Sequence, residues 1–338
     1  MRHKAGKLLL AAALAGGWTL WRRRKYPTAK GYPSLELFPV PGWVLTPSLA
    51  RLGNRILGQL PLPRPPAGVR REFLCCAGAD GHPVPLTLYR PEHVSGPLPC
   101  LVYFHGGGFC FEAAGYLHRN VADYARLAGC LVVMVHYRTS DRFPFPVPFQ
   151  DCQAALGYVH AHAGQLDADA GRLAVGGDSA GGALAAACAL WAREAGIPVC
   201  FQLLLYPVTD ARMTSTSMAQ YRDSPLWNAR LNRRMWQLYL RGGCQGPRQF
   251  ASPLEAEDLS GLPGAYVEVE QLDCLRDEGA AYAGALERAG SPVELRQLAG
   301  TFHGFDLFRS HPLTGAAIRT RARALQRAFA ARSNVQTP

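Results

Sequence analysis

The stretch Arg172-Leu-Ala-Val-Gly-Gly-Asp-Ser-Ala-Gly-Gly182 joins a short apolar strand to an Ala-rich helix through a serine flanked by glycines. Such a junction forces a sharp turn with Ser179 at its apex. Gly177 and Gly181 have no Cβ to clash where neighbouring backbone must pass closely. The helix begins near Ala180, so its first free N–H groups point into the space above the serine. A serine between glycines also suits an ordinary turn. Its meaning depends on what the rest of the chain brings to the same sheet edge.

The pattern around this junction is regular. Glu72–Ala77 and Val84–Tyr89 read as two strands of an antiparallel hairpin about the turn Gly78-Ala-Asp-Gly81. Strands and helices then alternate: strand Cys100–Phe104, helix Leu117–Leu127, strand Leu131–His136, helix Phe149–His162, strand Leu173–Gly176, helix Ala180–Arg193, strand Phe201–Tyr206. After an interruption come strand Ala265–Val269, helix Asp277–Ala289, strand Val293–Leu298 and a last helix from Leu313 to about Ala331. This rhythm predicts an α/β fold with a mostly parallel sheet covered by helices on both faces. The interruption, residues 210–250, sets Met213, Trp227, Met235, Trp236 and Tyr239 among polar residues. It reads as a helical insertion at the carboxyl end of a strand, a lid over the crevice where such folds bind ligands. Helices that only complete the core are the competing reading.

Three regions follow. Residues 1–30 are basic and apolar, residues 31–69 hold an amino-terminal helical pattern and a Pro-rich connector, and residues 70–338 form the α/β body. The first region carries eight Lys or Arg and no acid, which is +8 of a formal charge of +11. The body is therefore close to neutral, which argues against a nucleic-acid face. Leu8–Trp21 is an uncharged run of 14 residues, short of the roughly 20 needed to span a bilayer. Its small residues resemble a signal-peptide core, but the block Arg22-Arg-Arg-Lys25 favours retention on the cytoplasmic side. Basic flanks beside Trp18 and Trp21 suit a helix at an anionic membrane surface, and a frayed terminal helix with solvated charges fits equally. Leu49, Leu52, Ile56 and Leu57 give a further helical pattern, and Leu60-Pro-Leu-Pro-Arg-Pro-Pro66 reads as a stiff connector. The ten cysteines form no Cys-x-x-Cys pair and several sit in apolar runs. They read as core thiols in a reducing compartment, so a cytoplasmic body is expected.

Candidate chemistry lies in the loops after the strands. Phe104-His105-Gly106-Gly107-Gly108-Phe109 follows a strand, and consecutive glycines let main-chain N–H groups turn into a cavity as an oxyanion hole. A phosphate loop is the rival, but its Lys-Ser/Thr ending is missing. His105 reads as a brace for the loop. His303, in Gly300-Thr-Phe-His-Gly-Phe305 after the last strand, is the candidate base, and His136 reads as structural. A histidine base needs a carboxylate on its other nitrogen. Asp273 lies in the loop after a strand, whereas Asp277 begins a helix, where an acid is favoured by the helix end alone. Asp273 is the first choice and Asp277 the alternative. Asp178 reads as a brace for the turn.

Together His-Gly-Gly-Gly, Gly-Asp-Ser-Ala-Gly-Gly, Asp-Cys-Leu-Arg-Asp-Glu-Gly and His-Gly-Phe resemble the hormone-sensitive-lipase-like family of α/β-hydrolase esterases and lipases, over roughly residues 70–310. The resemblance implies a Ser179, Asp273, His303 triad. It also implies oxyanion donors at Gly107, Gly108 and Ala180, and a cap built from the amino-terminal segment and the insertion after Tyr206. The expected activity is hydrolysis of a small-molecule ester through an acyl-enzyme, on short- to medium-chain acyl groups, with no metal or organic cofactor. Amides or long-chain lipid esters are alternative substrates of the same machinery, and a ligand-binding protein without turnover is the rival of another class. One departure stands out. After Tyr137-Arg138 the family usually continues Leu-Ala-Pro-Glu, whereas this chain has Thr139-Ser-Asp-Arg142, a loop expected to help frame the substrate pocket.

Overall fold

The computed structural model describes residues 15–333. The first fourteen residues, and with them half of the apolar run Leu8–Trp21 and most of its small-residue stretch, lie outside the described residues. The chain enters as a helix over residues 15–25 (α1). There follow α2 (Pro47–Gln59), the hairpin β1 (Val69–Ala77) and β2 (Pro83–Pro91), and β3 (Leu98–Phe104). Next come α3 (Gly115–Ala128), β4 (Leu131–Val135), α4 (Val147–Ala161), β5 (Ala168–Asp178), α5 (Ala180–Glu194) and β6 (Val199–Leu205). The insertion carries α6 (Thr216–Gln220), α7 (Ala229–Tyr239) and α8 (Arg248–Ala251). The chain closes with β7 (Ala265–Glu270), α9 (Arg276–Arg288), β8 (Val293–Leu298) and α10 (Pro312–Ser333).

All eight strands form one sheet in the order β1-β2-β4-β3-β5-β6-β7-β8. From β4 to β8 every pairing is parallel, and the antiparallel hairpin joins the edge through β2 against β4. α3 and α10 pack together on one face, and α4 and α5 on the other. Residues Leu101–Phe104 and Leu131–Val135 are buried without alternation, as expected of strands covered on both sides. β5 starts five residues before the expected Leu173. Its extra residues continue past a register shift, where Ala168 pairs with Leu98. α5 is buried from Ala180 to Leu190, and its small side chains let it lie close to the sheet.

The amino-terminal segment and the insertion meet over the loops that follow the strands. Asn228 Nδ2 donates to Val40 O at 2.8 Å, and Gly42–Val44 pack on α7. Lys25 and Arg22 of α1 pair with Asp223 at 2.8 and 2.5 Å. α2 forms where its spacing predicts, with Pro47 in the first turn and the Thr46 hydroxyl accepting from Leu49 N. Its seat is unexpected. Leu49, Leu52 and Ile56 are about half exposed, and the helix is held instead through Ala50 and Asn54. Asn54 donates to Cys110 O at 2.9 Å and accepts from Glu112 N at 3.0 Å, tying α2 to the loop after β3. The far end of the insertion does complete the core, where Phe250 of α8 stacks on Phe149 of α4 at 4.7 Å.

Beneath the sheet lies a buried ionic cluster. Arg321 of α10, fully buried, donates to Glu268 of β7 through Nε at 3.0 Å and to Asp306 at 2.7 Å. Tyr124 of α3 accepts from the same guanidinium at 3.1 Å. Removing the guanidinium leaves two carboxylates without a cation in a dry environment, a change that typically costs about 3–5 kcal/mol. Arg321→Met is therefore expected to lower the urea midpoint by a corresponding amount, read by far-ultraviolet circular dichroism. An unchanged midpoint would show that the cluster does not hold α10 to the sheet.

Candidate active site

Ser179 sits between the last residue of β5 and the first of α5 with φ +55° and ψ −120°, a strained conformation costing roughly 1–3 kcal/mol that persists only where its surroundings over-determine it. Here they do. Its N–H donates to Leu205 O at 2.9 Å, and its carbonyl accepts from Gly182 N at 3.0 Å and Val208 N at 3.1 Å. A Cβ on Gly177 would lie 2.3 Å from Gly181 O, and one on Gly181 would lie 2.0 Å from Phe104 O. Both glycines are thus required by close passage of backbone, as the sequence predicts.

The loops after β7 and β8 bring two side chains to this turn. His303 Nε2 lies 2.8 Å from Ser179 Oγ, and His303 Nδ1 lies 2.7 Å from Asp273 Oδ2. Asp273 is fully buried, and its other oxygen accepts from Leu275 N at 3.0 Å. Asp277 is engaged elsewhere. One of its oxygens accepts from Ser217 N at 2.7 Å and the other from Arg276 Nε at 2.7 Å, so it anchors α6 and not His303. Among the two aspartates left open by the sequence, geometry therefore selects Asp273.

The glycine loop after β3 faces the same point. Gly107 has φ +111°, open to glycine alone at little strain. The N–H groups of Gly107, Gly108 and Ala180 have no hydrogen-bond acceptor among the described residues. Gly107 and Gly108 line the same cavity as Ser179. Asp178 binds this loop to the turn: its Oδ1 accepts from Gly106 N at 3.0 Å and from Tyr103 OH at 2.9 Å. Burial, reinforced by nearby Asp306, pushes the Asp178 carboxyl up to about 7. His105 donates from Nδ1 to Gly106 O at 2.7 Å and stacks on Tyr137 at 4.3 Å. Burial lowers its pKa to about 3, so it stays neutral and braces the loop. His136 contacts Thr87 Oγ1 at 2.8 Å and is likewise pushed down by burial, to about 4.

Ser179 and His303 open onto a cavity of about 240 Å³, lined by Phe111, Tyr206, Leu226, Trp227 and Leu307 among others. The Trp227 ring lies over the glycine loop, 2.8 Å from where a Gly108 Cβ would stand, with its centroid 5.9 Å from that of His303. Tyr206 stands edge-on to His303 at 4.9 Å and donates to Asp306 at 2.8 Å. Sequence reasoning missed both roles. Trp227 is visible only as one aromatic among several in the insertion, and Tyr206 only as a strand end. The loop Thr139–Arg142 departs from expectation, since none of its residues lines this cavity. It borders a separate space of about 570 Å³ with Arg51, Arg55 and Glu112. It reaches the glycine loop only through Ser140, whose N–H donates to Phe109 O at 2.6 Å. Among the described residues no cluster of three or more His, Cys, Asp or Glu could hold a metal ion.

Comparison with known proteins agrees with this architecture. Residues 101–307 match the family described as the α/β-hydrolase fold. A Mycobacterium tuberculosis protein named esterase LipI is 36% identical over 72% of this chain and 78% of its own. An ethyl acetate hydrolase of Pseudomonas putida is 34% identical over 67% of this chain and 72% of its own. The solved structure titled bacterial heroin esterase superposes with a TM-score of 0.79 at 36% identity, covering 90% of this chain and 99% of that one. With both the sheet order and the sequence match in agreement, the chain belongs to the α/β-hydrolase fold family, in its hormone-sensitive-lipase-like branch.

Proposed function

We propose that this chain is a serine carboxylic-ester hydrolase in which Ser179, His303 and Asp273 carry the reaction. The observation that supports this most is the continuous hydrogen-bonded line from the Ser179 hydroxyl through both nitrogens of His303 to buried Asp273. His303 Nε2 takes the hydroxyl proton as Ser179 Oγ attacks the ester carbonyl. Asp273 fixes the tautomer that leaves Nε2 free to accept, and balances the imidazolium that forms. The carbonyl oxygen, now carrying negative charge, enters the space faced by the Gly107, Gly108 and Ala180 N–H groups, each such donor contributing about 2.7–4 kcal/mol in the transition state. His303 then gives its proton to the departing alkoxide, and the alcohol leaves. Water attacks the acyl-enzyme by the same path, returning its proton through His303 to Ser179 Oγ and releasing the acid.

The small, mostly apolar cavity under Trp227 supports short- to medium-chain acyl esters as substrates. The ethyl acetate hydrolase among the relatives points the same way. The amino-terminal segment and residues 210–250 act here as a cap, with Leu226 and Trp227 forming its contribution to the pocket wall.

Replacing Ser179 by Ala is expected to lower turnover of a short-chain p-nitrophenyl ester by at least about 10⁴-fold with an unchanged circular dichroism spectrum. A fluorophosphonate should label Ser179 of the wild type and no other residue. Near-wild-type turnover in the variant, or an adduct elsewhere, would refute the mechanism. Asp273→Asn should cost about 10⁴-fold through the wrong tautomer, and Asp277→Asn less than about tenfold, since it loses only its hold on α6. The reverse order would reassign the acid.

Asp178 makes a separate, pH-dependent prediction. Its carboxyl titrates near 7 in the folded protein and near about 3.9 in an unfolded chain, so the folded state keeps a proton that the unfolded state releases. That contribution to stability is complete below about pH 4 and is lost as pH rises through about 7. Asp178→Asn keeps an acceptor for Gly106 N but cannot ionise. Between pH 5 and 8 the variant should lose less unfolding free energy than the wild type, by on the order of 2 kcal/mol. Parallel stability–pH curves would show that Asp178 is not the titrating group.

A further inference from the structure

Of the fifteen large hydrophobic side chains that stand exposed among the described residues, ten lie between Trp18 and Leu62. Such side chains scattered singly need no explanation, but concentration in one short stretch does. Phe38 and Trp43 are the most exposed of all, at 74% and 72%. On α2, Leu49, Leu52 and Ile56 recur at intervals of three and four, so they form one stripe along the helix. That stripe points away from Ala50 and Asn54, through which the helix is seated.

Charge is concentrated in the same part of the chain. Residues 1–71 contain 13 Lys or Arg and a single acid, Glu36, for a formal charge of +12. The remaining 267 residues contain 23 basic and 24 acidic residues, a charge of −1. The whole net charge of the protein therefore belongs to the segment that also exposes the apolar side chains. Arg51 and Arg55 are exposed on α2 itself, and Arg23 and Arg24 on α1 beside Trp21. No helix of the described residues is long and apolar enough to cross a membrane.

We propose that the outer face of this amino-terminal segment, centred on the α2 stripe, docks on an anionic phospholipid surface. Partly exposed tryptophan and leucine side chains enter the boundary between headgroups and acyl chains, and the surrounding arginines meet the lipid phosphates. An apolar partner protein would account for the stripe but not for a surrounding segment of 13 basic residues and a single acid. The face also adjoins the catalytic cavity, since a Cβ on Gly53 of α2 would lie 3.0 Å from Phe111, which lines it. Docking and ester hydrolysis are nonetheless independent properties of the chain, and either can fail alone.

The test is co-sedimentation of the full chain with vesicles of pure phosphatidylcholine and of an equimolar phosphatidylcholine–phosphatidylglycerol mixture, at low and high salt. The wild type is expected to partition at least about tenfold better onto the anionic vesicles, with the difference shrinking at high salt. The triple variant Leu49→Glu, Leu52→Glu, Ile56→Glu, altered only at half-exposed positions, is expected to lose at least about tenfold in partition. It should keep its turnover of a soluble ester, which certifies its fold. Leu295→Glu on the far edge strand β8, also at an exposed apolar site, should bind as the wild type does. Equal partition of the wild type onto both vesicle types overturns the proposal. So does a triple variant that binds unchanged, or an equal loss in the Leu295 variant. A wild type that dimerises in solution through this face, with a monomeric triple variant and no vesicle binding, overturns it in favour of self-association.

Discussion

Three backbone segments, at Phe104, at Gly177 and at Gly181, pass so close to one another that no side chain fits between them, and the rest of the site depends on that contact. It fixes the end of β3 against the start of α5. The glycine loop after β3 and the first residues of α5 are thereby held at constant separation. It also leaves Ser179 nowhere to relax. The strained turn is locked from both sides by hydrogen bonds to β6 and to the chain just beyond it. Rigidity of this kind is what a preorganised site requires, because donors that need not reorient cost nothing at the moment of reaction.

Around that contact the protein uses two different polar devices. Above it, Asp178 joins the turn to the glycine loop by accepting two hydrogen bonds on one oxygen, and His105 and His136 stay neutral and serve as braces. Below it, Arg321 gathers Glu268, Asp306 and Tyr124 from a strand, a loop and a helix. Asp306 passes the connection to Tyr206, whose ring abuts His303. His303 is thus oriented by Asp273 along one axis and confined by an aromatic wall along another.

Much of this is legible in the amino-acid sequence. The alternation of apolar runs and helical patterns marks the strands and helices of the sheet layer, because burial on both faces imposes continuous apolar runs on inner strands such as β3 and β4. Ser179 and His303 were legible because each lies in the loop directly after a strand, where this topology gathers its loops. Other features were not. In the sequence Asp277 is set apart from Asp273 only by its place at a helix start; the partner that claims it, Ser217, lies 60 residues away. The spacing of Leu49, Leu52 and Ile56 declares a helix but not which face is buried, and here a single asparagine decides it. The loop Thr139–Arg142 is expected at the substrate pocket from the family resemblance alone, but Thr139, Asp141 and Arg142 line the neighbouring space.

The close placement of Asp273 and Asp277 has a consequence for how this fold is recombined. Four residues apart, one orients the histidine and the other holds the first helix of the insertion through Ser217. The insertion is consequently not a removable module. Grafting residues 210–250 from a relative without a matching partner for Asp277 would leave that carboxylate held by Arg276 alone, four residues from Asp273. Chimeras that exchange pocket walls in this family should transfer the Ser217–Asp277 pair as a unit, with the boundary drawn through the loop after β7 and not at the ends of the insertion.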